Sequence, residues 1–317
     1  MPGTDVKRRT GAPFGQDAPY CAAPDPELRV PAQLMGPLSC DCHAHICGPE
    51  SRYAYAEQRI YTPPDALVPG YRTLLSVLGV ERAVLVQPSV YGTDNTVLLQ
   101  AMKDMQRLGV DCRGVAVLDE TVPEHYLDEL HALGIRGLRF NLVDVAEATA
   151  GPPLDAIRRL CRRIARLGWH AEFLIHVDDY PDLDEWFADF PVEIVVGHMG
   201  YCRVGCTVNS PGFAALLRLA RDGRCWVKLT GPYRISAGDL PYTEAADFAG
   251  AVVEAAPTRA IWGTDWPHVM VTKAMPNDAD LCDLLNEWVA ESTFRQRILV
   301  GNPAVLYGFA ASENADG

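Results

Sequence analysis

The sequence predicts an α/β fold, a single (β/α)8 or TIM barrel, and three observations carry this prediction. Short apolar runs with strand character alternate with amphipathic helical stretches along most of the chain. Eight such units fit within the 317 residues, whereas a doubly wound open sheet needs fewer. Polar side chains also recur at the carboxyl end of nearly every strand, which is where a barrel places its chemistry.

The predicted strands are short apolar runs bounded by Gly, Pro or charged residues. In chain order they are LSCDCHAH, RAVLVQPS, RGVAVL, IRGLRFN, WHAEFLIH, VEIVVGH, CWVKLTG and RAIWGTD. No glycine-rich phosphate loop of either usual type follows any of these strands, so the pattern does not favour a nucleotide-binding fold.

The predicted helices lie between the strands and are recognised by apolar residues at helical spacing. In chain order they are GYRTLLSVLG, NTVLLQAMKDMQRLG, EHYLDELHALG, PLDAIRRLCRRIARLG, LDEWFADF, GFAALLRLARDG and YTEAADFAGAVVEAAP. Several end in Gly just before the next strand, the usual C-cap signal. Residues 1–30 are rich in Pro, Gly, Ala and charge, so we predict an extended amino-terminal arm there and one barrel over residues 31–317.

Composition limits the partners. With 28 Lys and Arg against 41 Asp and Glu, the net charge of −13 argues against nucleic acid and anionic membranes as partners. It leaves room for a small anionic substrate, because a few arginines can dominate the local field. No export signal and no run of about 20 apolar residues is present, and the ten cysteines are scattered without C-x-x-C pairs. We therefore expect a cytoplasmic protein with reduced cysteines. This composition is also compatible with a homo-oligomer.

The polar residues at the predicted strand ends are the candidates for function. They are His43 and His45 after strand one, Gln87 and Ser89 after strand two, Arg139 and Asn141 after strand four, His176 after strand five, His198 after strand six, Tyr233 and Arg234 after strand seven, and Asp265 after strand eight. Polar groups cost free energy in an apolar barrel unless they are paired.

Each candidate alone has a structural alternative. A single His can hydrogen-bond in a wall, Asp265 can cap a turn, and Arg139 can pair with Asp144. Taken together, H-x-H at strand one, His at strand six and Asp at strand eight favour a site over structure.

Three motifs bear a family resemblance: DCHAH, VGHMG and GTDWPH. With YTP (Tyr61–Pro63), VLVQPSVYGTDN and GIRGLRFN in the same order, the chain from about Leu38 to Phe309 resembles the amidohydrolase superfamily. The similarity is to its amidohydrolase-2 branch, which includes pyrone dicarboxylate lactonases, sulfomuconolactone hydrolases and sugar-lactone enzymes. The resemblance implies an amidohydrolase-type barrel.

The resemblance also implies roles for individual residues. His43, His45 and His198 would face the scissile carbonyl, and Asp265 would take the proton of the attacking water. Substrate-binding positions would be Tyr61, Ser89, Arg139, Asn141 and Arg234. The expected activity is hydrolysis of a small anionic lactone in aromatic or sugar-acid breakdown. A metal-dependent non-oxidative decarboxylase, a lactone isomerase and a non-catalytic binding protein are the alternatives.

Two positions depart from the pyrone dicarboxylate pattern. NLVDVAEA offers no basic residue after RFN, which favours a substrate with one anionic group or a differently arranged lactone. His176 adds a histidine that metal-dependent members use, so His43, His45, His176 and Asp265 could hold one Zn or Mn ion. No lysine ends strand four, which argues against a bridged two-metal centre. The histidines would thus polarise a carbonyl either directly or through one divalent ion.

Overall fold

Eight parallel strands form a nearly closed barrel in the computed structural model, which describes residues 15–143 and 153–310. The strands are Cys40–Ala44 (β1), Arg82–Val86 (β2), Asp111–Ala116 (β3), Ile135–Asn141 (β4), His170–Leu174 (β5), Ile194–Val196 (β6), Cys225–Leu229 (β7) and Ala260–Trp262 (β8). Each pairs with the next one in the sequence, from β1 through to β8. The predicted (β/α)8 fold is confirmed.

The turn that follows β8 closes the ring. Asp265 donates its backbone N–H to the His43 carbonyl, and His45 donates to the Trp266 carbonyl, each at 2.8 Å. A Cβ at Gly263 would lie 2.6 Å from the His43 nitrogen, so only glycine allows β1 and β8 to approach this closely. The barrel therefore closes through the residues that the sequence marks as functional.

Ten α-helices in the described ranges accompany the strands. They are Val68–Leu78 (α1), Thr96–Arg107 (α2), Glu124–Ala132 (α3), Leu154–Ile164 (α4), Leu183–Trp186 (α5), Pro211–Arg221 (α6), Thr243–Ala255 (α7), Asp278–Trp288 (α8), Ser292–Gln296 (α9) and Asn302–Tyr307 (α10). Helix α5 covers only part of the predicted LDEWFADF segment, because Phe187 and Phe190 turn inward and pack on Phe173 of β5. Helices α8 to α10 follow β8 and lie beyond the predicted set.

The core has two parts. The larger hydrophobic cluster includes buried residues of both the helices and the strands, and a smaller one combines strand residues with the chain end around α10. Val84, Val195 and Ile261 belong to the smaller cluster, together with Tyr307 of α10. Packing of this kind is typical of a barrel whose interior is filled by side chains.

The chain before β1 is described from residue 15 onward. Its backbone contacts the segment before α1: Thr62 donates to the Pro19 carbonyl and Cys21 donates to the Thr62 carbonyl, each at 2.8 Å. Residues 1–14 of the predicted arm lie outside the described ranges, and the division at residue 30 stays a prediction. None of the helices in the described ranges is long and apolar enough to cross a membrane. All ten cysteines carry free thiols.

Candidate active site

Three of the predicted site residues meet at the carboxyl ends of β1 and β8. One ligand atom from each of His43, His45 and Asp265 lies within 4.8 Å of the others. His198 joins this group, with its ring centroid 5.2 Å from that of His43. The four side chains are only 1–3% exposed. The four side chains converge as the strand-end pattern predicts, and they are buried instead of lining an open, solvent-exposed pocket.

Asp265 sits in a strained turn that aims its carboxylate at the histidines. Its φ of 67° lies in the left-handed region, which residues other than glycine seldom adopt outside special sites. The Oδ2 atom accepts hydrogen bonds from the Tyr233 hydroxyl at 2.6 Å and from Arg234 Nε at 2.8 Å. The Oδ1 atom is buried without a hydrogen-bond partner and lies 3.6 Å from His43 Nε2.

The charge on Asp265 follows from these neighbours. Burial alone would raise the pKa of this carboxyl, but the Arg234 guanidinium holds it well below its usual range. Asp265 is therefore an ionised carboxylate with one oxygen committed to Tyr233 and Arg234. The other oxygen is available for a water molecule or a substrate.

The histidines around this carboxylate are neutral. Burial is the main cause that lowers the pKa of both His45 and His198 to about 3, and Arg139 or Arg234 adds to the effect. His45 Nδ1 lies 2.7 Å from the Val86 carbonyl, which can only accept, so this nitrogen carries the ring proton and Nε2 carries a lone pair. His198 Nδ1 pairs with the Thr230 hydroxyl at 2.9 Å.

Below His43 lies a charged pair that the sequence analysis did not identify. Lys228 of β7 donates to Glu172 Oε2 of β5 at 2.7 Å and to the Cys42 carbonyl at 2.8 Å, and its Nζ lies 3.0 Å from His43 Nδ1. Burial would raise the pKa of Glu172, but the Lys228 charge lowers it below the usual value, so the pair is ionic. The signal available in the sequence was a lysine inside an apolar strand, because buried lysines are rare unless paired.

Of the predicted substrate-binding residues, Arg139 and Arg234 act on this centre. Arg139 is almost buried and donates to the Gln87 carbonyl at 2.8 Å, while Arg234 also donates to the Val269 carbonyl at 3.0 Å. Both guanidinium groups lower the pKa of His198, which places their charges near the site. The hydroxyls of Ser89 and Tyr61 lie 3.4 Å apart, and the Asn141 side chain accepts from the Val143 N–H.

His176 hydrogen-bonds through its Nδ1 to the backbone that follows β6. Strand β5 ends at Leu174, so His176 begins the following 3-10 turn, and its Nδ1 lies 2.7 Å from the Tyr201 carbonyl. It is not a member of the group formed by His43, His45 and Asp265. Of the four residues considered for a metal ion, the structure brings three together.

His43, His45 and Asp265 meet some of the requirements for a metal site but not all of them. Their spacing suits a divalent ion, and both His43 Nε2 and Asp265 Oδ1 are buried without hydrogen-bond partners. A ligating His43 Nε2 must carry a lone pair, which requires Nδ1–H to donate to an acceptor on the far side of the ring. The nearest polar atom to Nδ1 is instead the Lys228 ammonium, which is a donor. The donor set at His43 therefore does not fit a metal ion.

A (β/α)8 barrel with H-x-H at its first strand, His after the sixth and Asp after the eighth defines an enzyme of the amidohydrolase class. The family model named Amidohydrolase (Amidohydro_2) matches residues 40–309. The chain belongs to this family, and its expected assignment to the amidohydrolase-2 branch is confirmed.

Relatives and solved structures agree with this assignment. The chain is 34% identical to a 2-pyrone-4,6-dicarboxylate hydrolase of Comamonas testosteroni, covering 91% of this chain and 94% of the relative. It is 34% identical to a 4-sulfomuconolactone hydrolase of Hydrogenophaga intermedia, covering 93% and 96%. A crystal structure described as a putative 2-pyrone-4,6-dicarboxylic acid hydrolase of Pseudomonas putida superimposes with a TM-score of 0.75 at 31% identity, covering 87% and 99%.

Proposed function

We propose that this enzyme hydrolyses the ring ester of a small anionic lactone. The observation that carries the proposal is the ionised Asp265, whose unpaired Oδ1 lies 3.6 Å from His43 Nε2. A carboxylate held ionised at this depth suits a general base, and a neighbouring imidazole suits the polarisation of a carbonyl. The names of the two relatives, both hydrolases of anionic substrates, support the choice of a lactone.

In the proposed reaction, Asp265 Oδ1 accepts a proton from water as the water oxygen bonds to the lactone carbonyl carbon. The negative charge that develops on the carbonyl oxygen is stabilised by an imidazole N–H of His43. Collapse of the intermediate breaks the bond between this carbon and the ring oxygen. Asp265 returns its proton to the departing ring oxygen, and the products are a carboxylic acid and a hydroxyl or its oxo tautomer on the same molecule.

Arg139 and Arg234 are the proposed anchors for the anionic group of the substrate. A guanidinium presents a planar fork that matches a carboxylate or sulfonate. Arg234 carries a second task, because its Nε already holds Asp265 Oδ2. Substrate binding and the charge of the base therefore share one side chain, which favours substrates with a single anionic group near the reacting ester.

The test is a panel of lactones, carboxylated, sulfonated and sugar-derived, with uncharged rings of the same size as matched controls. Hydrolysis in oxygen-18-labelled water should place one labelled oxygen in the ring-opened acid. A lactone isomerase would give a product of unchanged mass without label, and a decarboxylase would release carbon dioxide. Equal rates on charged and uncharged rings would contradict the role given to Arg139 and Arg234.

A further inference from the structure

Lys228 and Glu172 form an ion pair in the barrel interior that the proposed reaction does not use. Lys228 is 0% and Glu172 2% exposed. A buried pair of this kind is seldom a large source of stability, because removing both charges from water offsets their attraction. Its position directly beneath His43 suggests a task at the site.

The contacts of Lys228 determine where the proton of His43 sits. An ammonium has three N–H donors and no acceptor, and Lys228 has three partners: Glu172 Oε2, the Cys42 carbonyl and His43 Nδ1, all within 3.0 Å. His43 Nδ1 must then accept. A neutral imidazole that accepts at Nδ1 carries its proton at Nε2, on the pocket side of the ring.

A competing arrangement has His43 Nδ1–H donating to Glu172 Oε1. That oxygen is 3.3 Å from Nδ1, farther than Lys228 Nζ, and the contact does not meet hydrogen-bond geometry, whereas the contact with Lys228 does. The carboxylate of Glu172 is also engaged by Lys228 through its other oxygen. The geometry therefore favours the proton on Nε2, where it faces the unpaired Oδ1 of Asp265.

We propose that Lys228, held in place by Glu172, is a positioning residue that keeps the His43 proton on Nε2 and so makes His43 a hydrogen-bond donor to the substrate carbonyl oxygen. The same arrangement keeps His43 from acting as a metal ligand through Nε2. This inference rests on the proposed function only for its kinetic consequence. The position of the proton is a property of the protein without substrate.

The direct test is nitrogen-15 NMR of protein labelled at histidine, with the His43 signals assigned by their loss in a His43→Gln variant. In the wild-type protein, Nε2 should show the shift of a protonated ring nitrogen and Nδ1 that of an unprotonated one. In Lys228→Met, Glu172 becomes the neighbour of Nδ1, and the two shifts should exchange. A wild-type protein with its proton on Nδ1, or a Lys228→Met protein with unchanged shifts, overturns the proposal.

Kinetics supply the second readout. With the proton moved to Nδ1, His43 presents a lone pair to the carbonyl oxygen, and we expect kcat to fall by about 10²- to 10³-fold, the loss typical of one oxyanion donor. KM should change far less, because the donor acts mainly in the transition state. A rise in KM with unchanged kcat in Lys228→Met would contradict a role for Lys228 at His43.

Two further variants serve as controls for misfolding and for loss of a lysine. Lys228→Met can fail to fold because it leaves Glu172 unpaired, so Lys228→Met/Glu172→Leu removes both charges together. This double variant should populate both proton positions and lose part of kcat; a single Nε2–H form with wild-type kcat overturns the proposal. Lys103→Met, at an exposed position of α2, controls for loss of a lysine. If no lactone is turned over while the wild-type shifts are as expected, the proposed function fails and the proton assignment stands.

Discussion

Asp41 and Asp265 both lie where the barrel closes, and they differ in the number and the charge of their hydrogen-bond donors. Asp41 of β1 accepts hydrogen bonds from Thr264 N and Oγ1 at 2.9 and 2.6 Å, from the Tyr71 hydroxyl at 2.9 Å and from His43 N at 3.1 Å. All of these donors are neutral. Asp265 accepts fewer hydrogen bonds, but one of them comes from the Arg234 guanidinium.

The two carboxyl groups respond in opposite directions. Burial raises the pKa of Asp41 to about 6 even though its hydrogen bonds lower it, whereas the Arg234 charge opposes burial at Asp265, whose pKa is lowered. A buried carboxyl is thus kept ionised here by a nearby cation more than by the number of its hydrogen bonds. The comparison separates an aspartate that neutral donors surround from one that a cation holds ionised.

The largest expected effect comes from removing the carboxylate that we propose as the general base. Asp265→Asn should lower kcat for ring opening by about 10²- to 10⁴-fold, because a general base contributes a factor of this size. Asp41→Asn is the matched variant, and it should mainly reduce the folded fraction. Rates are to be normalised to folded protein by circular dichroism. A normalised Asp265→Asn rate within tenfold of wild type would exclude Asp265 as the base.

The cation at Asp265 can be tested through the pH profile. In Arg234→Met, burial remains and the guanidinium is lost, so the pKa of Asp265 should rise and kcat/KM should fall on the acidic side. Wild-type enzyme should stay active down to the usual carboxyl range, because its carboxylate protonates only below that range. Arg234→Lys keeps a cation and should retain more of the wild-type profile. Identical acidic limbs in all three proteins would contradict this account.

Asp41 should affect the free energy of unfolding and its pH dependence, and not the catalytic rate. Its pKa is about 6 in the folded protein and about 3.9 in an unfolded chain. The folded state holds the proton more tightly, so the stabilisation is full below about pH 4 and is lost as pH rises through about 6. The difference amounts to about 3 kcal/mol. Urea unfolding should show the free energy of wild type minus that of Asp41→Asn falling by this amount between about pH 4 and 7; a constant difference would refute the assignment.

The smallest effect is expected at His176. His176 makes a hydrogen bond from Nδ1 to the Tyr201 carbonyl. His176→Gln should therefore raise the activation free energy by about 1 kcal/mol or less, which lowers kcat by about fivefold at most. Elemental analysis should give the same metal content for this variant and for wild type. A loss comparable to that of Asp265→Asn would place His176 in the chemistry and reopen the four-residue metal set.

The sequence was a good guide to the fold and to the residues that converge. Parallel strands gather their carboxyl ends at one face of a barrel, so strand ends alone bring His43, His45, His198 and Asp265 together. His176 followed the same rule by position, yet β5 ends two residues earlier and its ring turns to Tyr201. A strand end gives a location but not the direction of a side chain in the turn that follows.

The supporting residues were beyond the reach of the sequence for a different reason. Lys228, Glu172 and Asp41 lie inside strands, and their partners come from distant parts of the chain that only the closed barrel brings near. Thr264, for example, bonds to Asp41 across 223 positions of the chain. Local pattern indicates that such residues are unusual in an apolar run, but it does not identify what they contact.

The seam between β1 and β8 has a consequence for the newly made chain. His43 and His45 lie at the end of β1 and Asp265 follows β8, so they come from the two edge strands of the sheet, and neither edge alone carries the proposed base together with these two imidazoles. A chain still being synthesised, or one cut before its final strand, thus lacks the assembled proposed site. We therefore expect activity to appear together with closure of the ring, so an assay of activity during refolding would also report when the barrel closes.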